Sequence, residues 1–128
     1  MSERLTIVLW SCGPDRPGGA QLAAAPFVYA LTARALEIDV EMHFTSSTVR
    51  WLFDDDTALA YTDAARSKTV LEFIREVKAA GVRLYACAMA LNEQRRNDEA
   101  LRAELDGMAG AATVIGAAFS GTTRTLVF

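Results

Sequence analysis

The feature that most constrains the fold is an alternation of short, β-branched apolar runs with longer segments of helical periodicity, each run closed by turn-forming residues. Leu5 to Trp10 reads LTIVLW and stops at CGPDRPGG, the profile of a strand covered on both faces. From Gln21 to Glu37 apolar residues dominate, and Leu22, Tyr29 and Leu36 recur at heptad spacing with Leu31 and Ala35 beside them. A helix fits, with Pro26 in its first turns, where a missing N–H costs least. Ile38 to Phe44, IDVEMHF, alternates as a strand with one better-covered face. Thr45, Ser46, Ser47 and Thr48 then offer N-caps for a short helix through Val49, Trp51 and Leu52.

The acidic stretch DDDTALAYTDAA reads as a loop or lid-like insertion. Val70, Leu71, Ile74 and Val77 make Ser67 to Ala80 an amphipathic helix stopped by Gly81, and a third strand follows from Val82 to Ala86 or Cys87. ALRAEL around Ala100 is a good helix former, and DGMAGAA suits a short strand or its loop. Ala112 to Phe119 fits helix or strand on propensity alone, and Thr123 to Phe128 is a final strand. Strands alternating with helices imply parallel crossovers and a three-layer α/β/α sandwich. Ligands collect at the carboxyl ends of the strands in such sheets. Cys12, Thr45 and Cys87 all fall at or just beyond such ends.

A chain of 128 residues fits one domain spanning 1–128 and buries roughly 70% of its unfolded surface. A net charge of −3 gives no broad electrostatic reason to bind nucleic acid or an anionic membrane. No stretch approaches the roughly 20 apolar residues of a membrane helix, and the opening MSERLTIVLWSCGPDRPGG lacks the long apolar core of an export signal. The cytoplasm is therefore the expected compartment, where a structural disulfide between Cys12 and Cys87 is not expected. Two cysteines and the single His43 cannot build the usual structural zinc sites, and Asp54-Asp55-Asp56 lacks calcium-loop spacing and reads as a solvated turn. No metal or cofactor is implied.

Cys87, in LYACAMAL, has two readings: a small apolar residue packed in an apolar segment, or a thiol where strand turns into helix, near backbone N–H groups that stabilise a thiolate or persulfide. Period-two alternation puts Arg83, Tyr85 and Cys87 on one face, with Arg83 at the far end of the strand. Cys12 lies in a loop that could bring a second thiol into the same cleft. Its glycines match neither GxGxxG nor a P-loop, so Pro14, Pro17, Gly18 and Gly19 are read as turn formers. His43 either orients a substrate or shuttles a proton, or is a half-buried, satisfied strand histidine. No Ser/His/Asp order or paired carboxylates support a hydrolase.

Taken in order, CGPDRPGGAQLAAAPFVYALTARALE, DVEMHFTSSTVRWL, FIREVKAAGVRLYACAMAL and GAATVIGAAFSGTTRTLVF resemble the DsrE/DsrF-like family nearly end to end. The likeness is to its GPDDP-type first loop, its segment after strand two, and its cysteine at the end of strand three. It implies five parallel strands in a DsrEFH-like fold, makes Ala112 to Phe119 a helix, and implies homotrimers or hexamers. It also implies a cysteine that receives sulfane sulfur from a donor protein and passes it to an acceptor as a persulfide. By position Cys87 matches that cysteine, and Gly13, Pro14 and Asp15 match the first loop, with Cys12, His43, Thr45 and Ser46 as assisting candidates. The sequence departs at Ala88 and Ser47, where the family often has glycine. The alternatives are a non-catalytic oligomeric subunit, with Cys87 as packing, and a thiol peroxidase using both cysteines, which lacks the expected threonine-proline-cysteine setting.

Overall fold

The computed structural model describes residues 3–53 and 57–128. Its elements run β1 (Arg4–Leu9), α1 (Gly19–Ala35), β2 (Asp39–Phe44), a 3-10 helix (Ser46–Leu52), α2 (Val70–Ala79), β3 (Arg83–Ala86), α3 (Ala88–Gln94), β4 (Gly107–Met108), α4 (Ala111–Ala118) and β5 (Thr123–Val127). The five strands form one parallel sheet in the order β4-β3-β2-β1-β5. The connection from β4 to β5 thus leads from one sheet edge to the other, and α4 lies within it.

Alternation divides the sheet into two unlike faces. Ile7 and Leu9, Val40, Met42 and Phe44, and Leu84 and Ala86 pack with α1 and α2 into the hydrophobic core. Phe27 of α1 stacks on Phe73 of α2 at 5.6 Å and meets Phe44 at 6.4 Å, so aromatic contacts join both helices to the sheet. Arg34 donates from Nε to the Ala80 carbonyl (2.9 Å) and from a terminal nitrogen to that of Ile38 (3.0 Å), bonding carbonyls beyond the ends of both helices. The register Thr6↔Glu41, Val8↔His43↔Tyr85 and Thr6↔Thr125 defines the second face. It is polar at its centre, and α4 is the layer beyond it.

Three expectations change. Pro26 is the eighth residue of α1, in the helix interior, where it is buried in the core layer. ALRAEL is not a helix: Leu101 forms an antiparallel bridge with Phe53, and the Arg102 N–H donates to the Leu52 carbonyl at 2.7 Å. A two-pronged ion pair from buried Arg50 to Glu99 (2.6 and 2.9 Å) ties down this segment, so tertiary bonds override its helix propensity. The run through Val49 to Leu52 is helical but in the tighter 3-10 form. Of the acidic insertion, Asp54 to Asp56 lie outside the described residues. Its later part folds back, with Tyr61 bridging Thr69 just before α2.

Candidate functional site

β3 ends at Ala86, and Cys87 follows in extended conformation (φ −71°, ψ 122°) as the residue that opens α3. Its N–H donates to the Phe44 carbonyl (3.0 Å), continuing the β2–β3 ladder, while its own carbonyl accepts from the Leu91 N–H (3.0 Å), beginning the helix. Cys87 is thus fixed through its backbone on both sides, and its side chain is left half-buried beside a cavity of about 690 Å³. Val8 and Val127 of the sheet lie on one side of that cavity, and Val114 and Ile115 of α4 on the other. Met89 and Glu93 of α3 also line it. No lysine or arginine does among the described residues.

His43 lies on the same cavity, one ladder step before Cys87. Its ring is 2% exposed and stacks on Tyr85 at 5.3 Å. Nε2 is 3.2 Å from Oε2 of Glu41, two residues earlier on the same face. A carboxylate can only accept, so Nε2 carries the proton, and Nδ1 of the neutral ring is an acceptor. The other oxygen of Glu41 is 3.0 Å from Arg83 and 3.7 Å from Arg4, and both arginines also pair with Asp39. This explains Arg83: its charge is committed to Asp39 and Glu41 and not to Cys87. His43 Nδ1, Thr6 Oγ1 and Thr125 Oγ1 are buried with no hydrogen-bond partner.

Thr45 and Ser46 also line the cavity. Thr45 donates its hydroxyl to the Leu9 carbonyl (2.7 Å) and its N–H to Thr48 Oγ1 (2.9 Å), which fixes the turn out of β2. Ser46 adopts φ +51°, the left-handed region that disfavours a side chain. Ser47, next to it, packs on Gly13, where a Cβ would fall 2.5 Å from Ser47 Oγ and 2.9 Å from its carbonyl carbon. The loops after β1 and β2 therefore interlock through a residue that must lack a side chain. Ala88, where the family often has glycine, does not adopt positive φ.

The first-loop residues sit elsewhere. Cys12 is 2% exposed, belongs to the hydrophobic core and does not line the Cys87 cavity. Its carbonyl accepts from the buried Trp51 indole N–H at 2.8 Å. Burial pushes its thiol up from 9.0 to about 11, against smaller opposing pulls from a backbone hydrogen bond and Arg16. Pro14 and Asp15 line a second cavity, of about 460 Å³, together with Gly18, Gly19 and Arg96. The structure therefore brings Cys87, His43, Thr45 and Ser46 together and leaves Cys12, Gly13, Pro14 and Asp15 apart from them. Sequence reasoning placed Tyr85 on the face of Cys87 without giving it a role, and missed Glu41 and Thr125. The alternation in IDVEMHF already put Glu41 and His43 on one face, but which face was buried was not readable. Among the described residues no group of three His, Cys, Asp or Glu could hold a metal, and no helix is long and apolar enough to cross a membrane.

The family model described as DsrE/DsrF-like matches residues 13–124. Among solved structures the chain is similar to the YchN protein from E. coli (TM-score 0.73, 12% identity, 100% of each chain covered). It is also similar to the conserved protein of unknown function BT1422 from Bacteroides thetaiotaomicron (TM-score 0.56, 14% identity, 98% of this chain and 95% of that one). At these identities the likeness is one of fold. No curated protein matches the chain.

Proposed function

Since the chain belongs to the DsrE/DsrF-like family, we propose that it accepts sulfane sulfur as a persulfide on Cys87 and passes it on. The observation that carries this reading is the contrast between its two thiols. Cys87 is half-buried on a large cavity, fixed by ladder and helix bonds, whereas Cys12 is sealed in the core. In the first step the Cys87 thiolate attacks the outer sulfur of a donor R–S–SH. The S–S bond of the donor breaks, its electron pair leaves with R–S⁻, and Cys87–S–SH forms. An acceptor thiolate then attacks the outer sulfur of Cys87–S–SH, and the Cys87 thiolate leaves, ready for another cycle. Apolar walls such as Val8, Val114 and Val127 limit access of competing nucleophiles to the persulfide.

A second reading, a non-catalytic subunit of an oligomer, is favoured by α4. Its sequence, AATVIGAA, is almost wholly apolar, yet none of its residues is buried in the single chain. Mass spectrometry after incubation with an organic persulfide separates the two. Gain of one sulfur atom, lost in Cys87→Ser and kept in Cys12→Ser, supports the sulfur carrier; an unmodified Cys87 leaves the subunit reading.

A further inference from the structure

Cys87 lines the 690 Å³ cavity, so a sulfur compound that reacts there meets the rest of that lining as it arrives. Val8, Trp10, Val114, Ile115 and Val127 give the cavity apolar walls, and among them stands one carboxylate, Glu93 of α3. No lysine or arginine lines it among the described residues. Glu93 is exposed, and no basic side chain pairs with it among the described residues, so its charge is not cancelled locally. Cys87 opens α3 and Glu93 lies near the end of that helix (Ala88–Gln94), which puts the two about 9 Å apart along its axis. At that separation a unit charge acts on a charged visitor even through water, and walls of low dielectric keep its field within the opening.

We infer that Glu93 is a specificity-determining residue, which turns anionic sulfur compounds away from Cys87 and leaves the site to uncharged or cationic ones. Resting on the sulfur-carrier reading, this sets the class of donor and acceptor: low-molecular-weight thiols and persulfides with no negative charge near the reacting sulfur. A cavity of this size is within the usual range for small molecules, about 300–1,000 Å³. Thiosulfate, and persulfides with a carboxylate beside the sulfur, fall outside the class. Glu93 acts by its charge alone and forms no bond to the reacting atoms.

The test measures how fast Cys87 reacts with two methanethiosulfonates of similar size, the cationic 2-(trimethylammonio)ethyl and the anionic 2-sulfonatoethyl reagent. Each forms a mixed disulfide on the thiolate and releases methanesulfinate; mass spectrometry locates the adduct, and each rate is divided by that on free 2-mercaptoethanol. In 10 mM salt the corrected rates should favour the cation about threefold, the effect of one unit charge at about 9 Å on visitors of opposite sign. The preference should fade toward unity in 1 M salt, vanish in Glu93→Gln and invert in Glu93→Lys. Glu37→Gln makes the same change in net charge at the opposite end of the sheet, between α1 and β2, and should keep it. Equal rates at low salt, a preference that survives Glu93→Gln, or one lost equally in Glu37→Gln overturns the inference. So does a Cys87 inert to both reagents in the folded protein, which would mean that the cavity is closed to visitors. The reagents modify any accessible thiol, so the charge preference is read independently of sulfur transfer. An intact preference with no persulfide adduct would refute the sulfur reading alone, and an adduct without the preference would refute this inference alone.

Discussion

Glu41 and His43 stand two residues apart on one strand and face the same way, with the histidine Nε2 3.2 Å from the carboxylate that Arg83 holds from its other oxygen. The carboxylate can only accept, so it holds the proton on Nε2 and leaves Nδ1 of the neutral ring an acceptor, buried and without a hydrogen-bond partner. Glu41→Gln should weaken this arrangement by about 1.5–3 kcal/mol, the usual worth of hydrogen bonds to a charged group, as measured by urea unfolding. The amide can also present an N–H to the ring, so the tautomer is no longer fixed. Nitrogen NMR should show the Nε2–H form alone in the wild-type protein and a mixture in Glu41→Gln. A single unchanged tautomer in the variant would mean that Glu41 does not set it.

Ser46 carries φ +51° beside Cys87 and Thr45 on the cavity lining. Glycine adopts this conformation without the Cβ penalty, although it loses more freedom on folding. Ser46→Gly should therefore stabilise the fold by about 0.5 kcal/mol, with unfolding midpoints as the measurement. A loss of stability would show that the serine side chain contributes more than its backbone conformation costs.

Gly19 opens α1 with its Cα turned into the first loop, where a Cβ would lie 1.8 Å from the Gly13 carbonyl oxygen. The atom in the way is backbone, bonded to the Arg16 N–H at 3.3 Å, so it cannot swing aside as a side chain would. Gly19→Ala should cost more than about 3 kcal/mol or prevent folding. Gly116→Ala is the control, because nothing lies within 4 Å of a Cβ there. It should stabilise α4 by up to about 1 kcal/mol.

The parts of the fold that could be read from the sequence are those written in local periodicity. The alternation of IDVEMHF and the spacing of Val70, Ile74 and Val77 each describe one face of one element, and β2 and α2 form there. What could not be read depends on contacts distant in the chain. ALRAEL loses its helix to Phe53, Leu52 and Arg50, about fifty residues earlier. Ala112 to Phe119 is ambiguous on propensity because Thr113 is the one polar side chain of the octapeptide, too little to set a period. The two cysteines looked alike at strand ends, and only depth separates them. The charged pair behind His43 was visible as alternation, but its meaning depends on Arg83 arriving from β3.

We propose that the chain self-associates through the surface carrying Met108 and Phe119, 63% and 87% exposed at either end of the apolar α4. Sedimentation should give a trimer or a dimer of trimers, and Phe119→Asp should shift it toward monomer. A stable wild-type monomer at micromolar concentration would remove the assembly.

Cys12 and Cys87 should separate cleanly by pH. Burial raises the Cys12 thiol from 9.0 to about 11, and its 2% exposure blocks reagents as well. Iodoacetamide at pH 8 should therefore label Cys87 alone in the folded protein, with Cys12 labelled only on unfolding or in strong alkali. The same shift has a stability consequence. The unfolded thiol loses its proton near pH 9, while the folded one keeps it until about pH 11. The contribution of Cys12 is thus full below pH 9 and declines as pH rises through that window. At about 1.4 kcal/mol per unit, the loss by pH 11 is about 2–3 kcal/mol. Cys12→Ser has no such group, so its unfolding free energy should fall less steeply between pH 9 and 11 than that of the wild-type protein. Parallel curves for the two proteins, or rapid labelling of Cys12 at pH 8, would show that the core opens around Cys12 and that its thiol is available after all.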